Sequence, residues 1–135
     1  MTQAAAQLDF IDNGRAYCGA TFNPVLNFWE DVAETEPTDL TGKEFRMLIF
    51  KSVSTAPIAE LISSGLDPEH EDAAAGTLTV QGADDNQLAF LLTDEVTLAL
   101  EPGRYSHHVE QYNEDGTVDR RFFGAIFFEA RNNPA

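Results

Sequence analysis

The chain has 135 residues, enough for one domain with a substantial core and too few for two. Its composition is 43% hydrophobic with ten phenylalanines, which is typical of a folded protein and excludes an acidic disordered tail. With 23 acidic residues against 8 basic ones, the formal net charge is −15. This charge argues against nucleic acid or an anionic membrane as a partner, because repulsion opposes the whole approach.

Cys18 is the only cysteine, so the sequence provides neither an intrachain disulfide nor a thiolate metal cluster. We expect Cys18 to be a small buried apolar side chain. The first residues lack the basic and apolar regions of a secretory signal, and no apolar run reaches the roughly 20 residues that span a bilayer. We therefore expect a protein made in the cytoplasm that stays soluble until it joins an assembly.

The first third of the chain predicts an arm and a strand. Residues 1–20 are interpreted as an N-terminal arm or edge strand, with a short strand over residues 8–12. Residues 21–29 form the next strand candidate. Pro24 places that strand at an edge or a bulge, because proline has no N–H to donate to a ladder. The acidic residues 30–41 read as a loop.

The strongest strand signal of the first half lies at residues 43–51. Apolar residues recur there with period two at Phe45, Met47 and Ile49. Successive side chains of a strand point to opposite faces of its sheet, so these three share one face. The sequence therefore predicts that this face packs in the core.

A first hairpin is predicted between residues 77–80 and 87–92, across the turn residues 82–86. A short apolar run at residues 58–62 and a polar stretch at 63–76 precede it. The polar stretch contains several acidic side chains on both sides of a histidine. It is interpreted as a solvated loop.

The last third predicts one helical turn and a second hairpin. Thr93 stands at an N-cap position before two acidic residues, which indicates a turn of helix over residues 93–98. Residues 113–116 end in Asp-Gly, which supplies the positive φ of a hairpin connection. Short strands about ten residues apart, without a long helical pattern, predict an all-β fold. We expect an antiparallel Ig-like β-sandwich of about seven to eight short strands over residues 21–130.

The order of these motifs resembles small β-sandwich proteins of tailed bacteriophages. The most similar family is the N-terminal domain of phage baseplate upper proteins and related tail-associated proteins. The resemblance covers roughly residues 21–128 and is carried by six short motifs, at residues 20–29, 39–42, 76–80, 100–105, 115–116 and 121–124. It implies a structural virion protein, present in many copies, that docks tail, neck or baseplate components. The same resemblance implies other phage structural proteins as partners, a homo-oligomer or ring in the particle, and no catalytic residues.

Two predicted strands are apolar on both faces, which predicts an interface. The second face of residues 43–51 carries Leu48 and Phe50, and one face of the last strand carries Phe122, Ile126 and Phe128. A two-layer sandwich buries one face of each sheet, so a second apolar face needs a cover. That cover is a partner subunit, or else a loop or the N-terminal arm of the same chain.

No candidate for catalysis stands out. The sequence contains no Gly-x-Ser-x-Gly motif and no phosphate-binding glycine loop, so we expect neither an enzyme nor a cofactor. His107 and His108 are neighbours in a strand and point to opposite faces, which disfavours a shared metal. His107 is expected to be hydrogen-bonded and partly buried, and His70 to lie in the solvated acidic loop. The alternative function is a carbohydrate- or ligand-binding sandwich that uses Trp29 or Tyr112 as a stacking platform.

Overall fold

A computed structural model describes residues 6–8, 10, 16–30, 33–51 and 56–129, and every structural statement below concerns these residues. The described residues form nine strands and one short helix. In chain order these are β1 (Ala6–Gln7), β2 (Ala16–Tyr17), β3 (Val25–Asn27), β4 (Glu44–Lys51), β5 (Pro57–Ile62), β6 (Ala74–Gln81), β7 (Gln87–Leu91), α1 (Asp94–Leu98), β8 (Gly103–Tyr112) and β9 (Val118–Glu129). The prediction of an all-β fold is confirmed.

The strands form one mixed sheet in the order β1, β9, β8, β4, β5, β6, β7, β3, and β2 also pairs with β9. Most neighbours are antiparallel, but β5 pairs with β6 in parallel, and so do β1 and β2 with β9. The expectation of a purely antiparallel fold is wrong at these pairs. The polar stretch between β5 and β6 carries the chain back to the start of β5 before β6 begins, which is what a parallel pair requires. An Ig-like arrangement in two sheets stays a prediction.

The sheet curls so that its two ends meet across the core. The ring of Phe10, which bridges to β9, lies 5.3 Å from the ring of Phe22 and 6.1 Å from that of Phe90. Phe22 bridges to Leu92 just after β7, and Phe90 belongs to β7. Phe28, just after β3, packs on Phe122 of β9 at 5.6 Å. Aromatic pairs at these distances add to the burial of their apolar surface. One face of the curled sheet therefore forms the core.

The core face of β4 follows the period-two pattern. Phe45, Met47 and Ile49 are completely buried, as predicted. They stand opposite buried residues of β8, and Val109 pairs directly with Met47. Because β4 lies between β5 and β8, it is a central strand of the sheet.

Both predicted hairpins and the helical turn are present. In the connection from β8 to β9, Gly116 has φ +90° and donates its N–H to the carbonyl of Asn113 at 3.0 Å. β6 and β7 form the other hairpin. Thr93 is the N-cap residue of α1, although its side chain makes no capping hydrogen bond. Thr97 anchors the helix instead, since its hydroxyl donates to the carbonyl of Ala20 at 2.7 Å.

The edges of the sheet are formed near the N-terminus. β3 pairs only with β7, so Pro24 precedes an edge strand, as predicted. β3 is shorter than the predicted residues 21–29, and Phe22 and Trp29 contribute only isolated bridges. The described part of residues 1–20 pairs with β9 and places Phe10 in the core. The short strand predicted over residues 8–12 falls partly outside the described residues.

Candidate functional site

One half of the predicted interface is wrong. Ile126 and Phe128 are completely buried, and Phe122 packs against the core. These residues point to the inside of the curled sheet, where Phe128 lies 5.5 Å from the ring of Tyr105. The face of β9 that the sequence assigned to a partner therefore belongs to the core.

The opposite face of β9 is exposed instead. We call the side of β4, β8 and β9 that points away from the core the outer face. Phe123 and Phe127 lie on it with 44% and 38% of their surfaces exposed. On β4 the outer face carries the other predicted interface residues, Leu48 and Phe50. Phe50 is half-buried, while Leu48 is only 7% exposed.

Two small residues of adjacent strands lie directly opposite each other in the middle of the outer face, Ala125 of β9, which is 6% exposed, and the exposed Ser106 of β8. We call the patch that these small residues form between larger side chains the depression. Residues two positions apart in a strand share a face, so Phe123 and Phe127 stand on either side of Ala125. Phe50 of β4 stands opposite Ser106 and closes a third side. Aromatic side chains around small residues give this patch the chemistry to contact an aliphatic side chain.

His108 forms a further wall, in contact with Phe50 at 5.5 Å between ring centroids. Burial lowers the pKa of His108 below its usual value of 6.5, and the positive charge of Arg120 lowers it further, while Glu110 acts in the opposite direction. The imidazole is therefore neutral at physiological pH. It contributes an apolar ring rather than a charge to the depression.

Two arginines lie on the outer face, and one of them borders the depression. Arg104 stands opposite Phe127 in the β8–β9 ladder, whereas Arg120 stands opposite Glu110, beyond the register shift and outside the depression. Both are exposed, and neither forms an ion pair with any described residue. Arginine beside exposed aromatic residues is the composition that protein interfaces favour. In a chain of net charge −15, it also creates a local site for an acidic group.

The part of the outer face over β4 and β5 is covered by the chain's own loop. Arg46 Nε lies 3.0 Å from Glu60 Oε2, and both side chains are almost completely buried. A second carboxylate, that of Glu69 in the loop, lies 2.9 Å from Arg46 Nη1. Glu60 in turn accepts the backbone N–H groups of Glu69 and His70 at 3.1–3.2 Å. The alternative of a covering loop is thus correct for this part of the outer face.

Glu60, Glu69 and His70 are close enough together to suggest a metal site. Arg46 argues against one, because its guanidinium already lies against both carboxylates. An added cation would meet that positive charge at short distance. The cluster is therefore a partly buried ion-pair network that fixes the loop, rather than the freely solvated acidic loop that the sequence indicated.

The other side chains that the sequence singled out take part in the packing and hydrogen bonding of the fold. His107 is buried, and its Nε2 donates to the carbonyl of Leu8 at 2.7 Å, as expected of a hydrogen-bonded core histidine. Cys18 is buried as predicted, and burial raises the pKa of its thiol. One face of the Tyr112 ring is occupied by the guanidinium of Arg46, 5.2 Å from its centroid, and Trp29 is half-buried.

The chain has no match among the known protein families, and none among curated proteins. Among the described residues, no helix combines the length and the apolar character that crossing a membrane requires. The outer-face depression, with Arg104 at its border, is the feature on which we argue a function.

Proposed function

We propose that the protein is a structural subunit of a multi-copy assembly, and specifically a virion component of a tailed bacteriophage that docks tail, neck or baseplate parts. The observation that carries the assembly part is the outer face. Exposed phenylalanines lie there, and beside Phe127 stands Arg104, which forms no ion pair with another described residue. The resemblance of the motif order to phage tail-associated proteins carries the virion part. In such a role the protein is made in the host cytoplasm and ends in the particle.

Several properties support docking as the function of this surface. Most of the depression belongs to β8 and β9, the two longest strands described, so its side chains are held in fixed relative positions. A preorganised surface loses little conformational entropy on binding. The exposed phenylalanines would be a liability on a free monomer, whereas a partner that covers them gains the free energy of their burial.

Mass spectrometry of purified phage particles tests the virion role. We expect the protein in constant stoichiometry with the tail proteins, and the same particles assembled with Phe127→Ser should contain at least about tenfold less of it. Val25→Ser is the matched control, because Val25 is 44% exposed on β3, away from the outer face. Particles that lack the wild-type protein, or that lose both variants equally, would contradict the proposal.

A further inference from the structure

Helix α1 presents an exposed acidic knob that complements the depression of the outer face. Leu98 is 70% exposed, more than any other large hydrophobic residue described. Asp94 and Glu95 precede it by four and three residues, so all three side chains lie on the same side of the helical turn. We call Asp94, Glu95 and Leu98 the α1 knob.

The knob is held rigidly by residues on the other side of the helix. The hydroxyl of Thr97 is completely buried, donates to the carbonyl of Ala20 and accepts the N–H of Gly19 at 3.1 Å. These bonds fix α1 against the turn that follows β2. Leu98 is therefore fixed in its exposed position, where it gains nothing from burial within its own chain.

We propose that the α1 knob of one copy of this protein docks in the outer-face depression of the next copy, and this inference rests on the proposed assembly function. The leucine fits between Phe123 and Phe127, over the small residues of the depression. The carboxylates of Asp94 and Glu95 meet Arg104, which stands beside Phe127 and lacks a carboxylate partner among the described residues.

Charge is the reason to choose a second copy as the occupant. Like-charged chains of net charge −15 repel each other, so self-association requires a local contact of opposite sign. The knob places two acids around an apolar residue, and the depression places an arginine beside apolar walls. The knob therefore supplies the negative charges, and the depression the positive charge, that such a contact requires.

Knob and depression are different surfaces, so the contact is head-to-tail. A contact of this kind leaves one free knob and one free depression on every dimer, and it generates rings when the rotation closes and filaments when it does not. The small contact area predicts weak association of the isolated protein, in the range of about 10–500 µM. Many copies in an assembly compensate for a weak single contact.

Sedimentation equilibrium of the full chain tests the arrangement. Wild type should associate beyond the dimer as its concentration rises, whereas Leu98→Ser and Phe127→Ser should each weaken association about 10- to 100-fold, since each loses a buried apolar side chain. An equimolar mixture of the two variants should restore association but stop at a 1:1 dimer, because one intact knob and one intact depression remain. Wild type that stays monomeric, or a mixture that stays monomeric, would overturn the proposal.

Charge reversal provides a second test. Arg104→Glu should weaken association at least about tenfold, and combining it with Asp94→Lys and Glu95→Lys in the same chain should restore it. Arg120→Glu makes the same charge change on the same face but outside the depression, so it is the matched control. Circular dichroism should show that every variant is folded. If Leu98→Ser associates like wild type while Phe127→Ser does not, the outer face still docks a partner, and only the knob is wrong.

Discussion

At the scale of single residues, Arg46 holds together the part of the outer face over β4 and β5. Its guanidinium contacts the buried Glu60, the exposed Glu69 and the hydroxyl of Tyr112, which accepts a hydrogen bond at 2.8 Å. Two carboxylates thus share one cation in very different surroundings, 3% and 60% exposed. Solvent screens the exposed pair, while the buried pair holds charges that water cannot stabilise.

Glu60→Gln and Glu69→Gln separate these two pairs. We expect Glu60→Gln to lower the free energy of unfolding by roughly 3–5 kcal/mol, because it removes the buried carboxylate and leaves the buried Arg46 with only the solvent-exposed Glu69 as an ionic partner. Glu69→Gln should cost about 0–1 kcal/mol, the usual value of an exposed pair. Urea denaturation measures both free energies of unfolding, and because urea is uncharged it does not screen the ion pairs. Equal losses for the two variants would show that burial does not distinguish the pairs.

His108 gives the outer face a pH response whose direction is fixed by its neighbours. Its pKa in the folded protein is lowered, so the unfolded chain binds the proton more tightly, and this residue weakens the fold as the pH falls below about 6.5. Arg120→Gln should raise the pKa of His108, and Glu110→Gln should lower it further. Titration of the imidazole followed by NMR measures all three. A pKa that does not change in Arg120→Gln would contradict this assignment.

At the scale of elements, the two faces of β9 have different surroundings although both are aromatic. Ile126 and Phe128 close the core, while Phe123 and Phe127 remain exposed. The β8–β9 ladder also has a register shift at Val109/Glu110, where β9 has one residue more than β8. Arg121, the extra residue, points inward and bonds Gln111 at 3.1 Å.

Alanine substitutions on the two faces should differ in cost. We expect Phe45→Ala and Ile49→Ala in β4, and Ile126→Ala in β9, each to lower the free energy of unfolding by roughly 2–5 kcal/mol, because each leaves a cavity in the core. Phe123→Ala is the control from the outer face and should cost less than about 1 kcal/mol. Chemical denaturation measures these values. A Phe123→Ala variant as unstable as Ile126→Ala would mean that the faces are assigned the wrong way round.

At the scale of the whole molecule, the fold combines a compact curled sheet with a large excess of negative charge. The sheet is closed by the segment from β2 to β3, which crosses from the β9 end to the β7 end and bridges at Phe22 and Leu92. The net charge of −15 opposes this closure, since folding brings like charges together. Stability therefore depends on the ionic strength.

Added salt should stabilise the protein. Between about 10 and 150 mM NaCl the Debye length falls from roughly 30 to 8 Å, which screens the repulsion between distant carboxylates more than it weakens the buried Arg46–Glu60 pair. Thermal unfolding followed by circular dichroism at fixed protein concentration should show a rising midpoint. Sucrose at the same osmolality is the control for a general solute effect. A falling midpoint would show that local ion pairs outweigh the net charge.

The sequence by itself determined the all-β class, both hairpins, the helical turn and the core face of β4, because period-two patterns and turn residues such as Gly116 act over a few residues. It could not determine which face of β9 is exposed, since both faces are equally apolar and only the curl of the sheet distinguishes them. The pairing of Arg46 with Glu60, the parallel β5–β6 pair and the depression beside Arg104 also required the tertiary structure. Each joins residues from different strands whose register follows from the packing of the whole sheet, which no local pattern encodes.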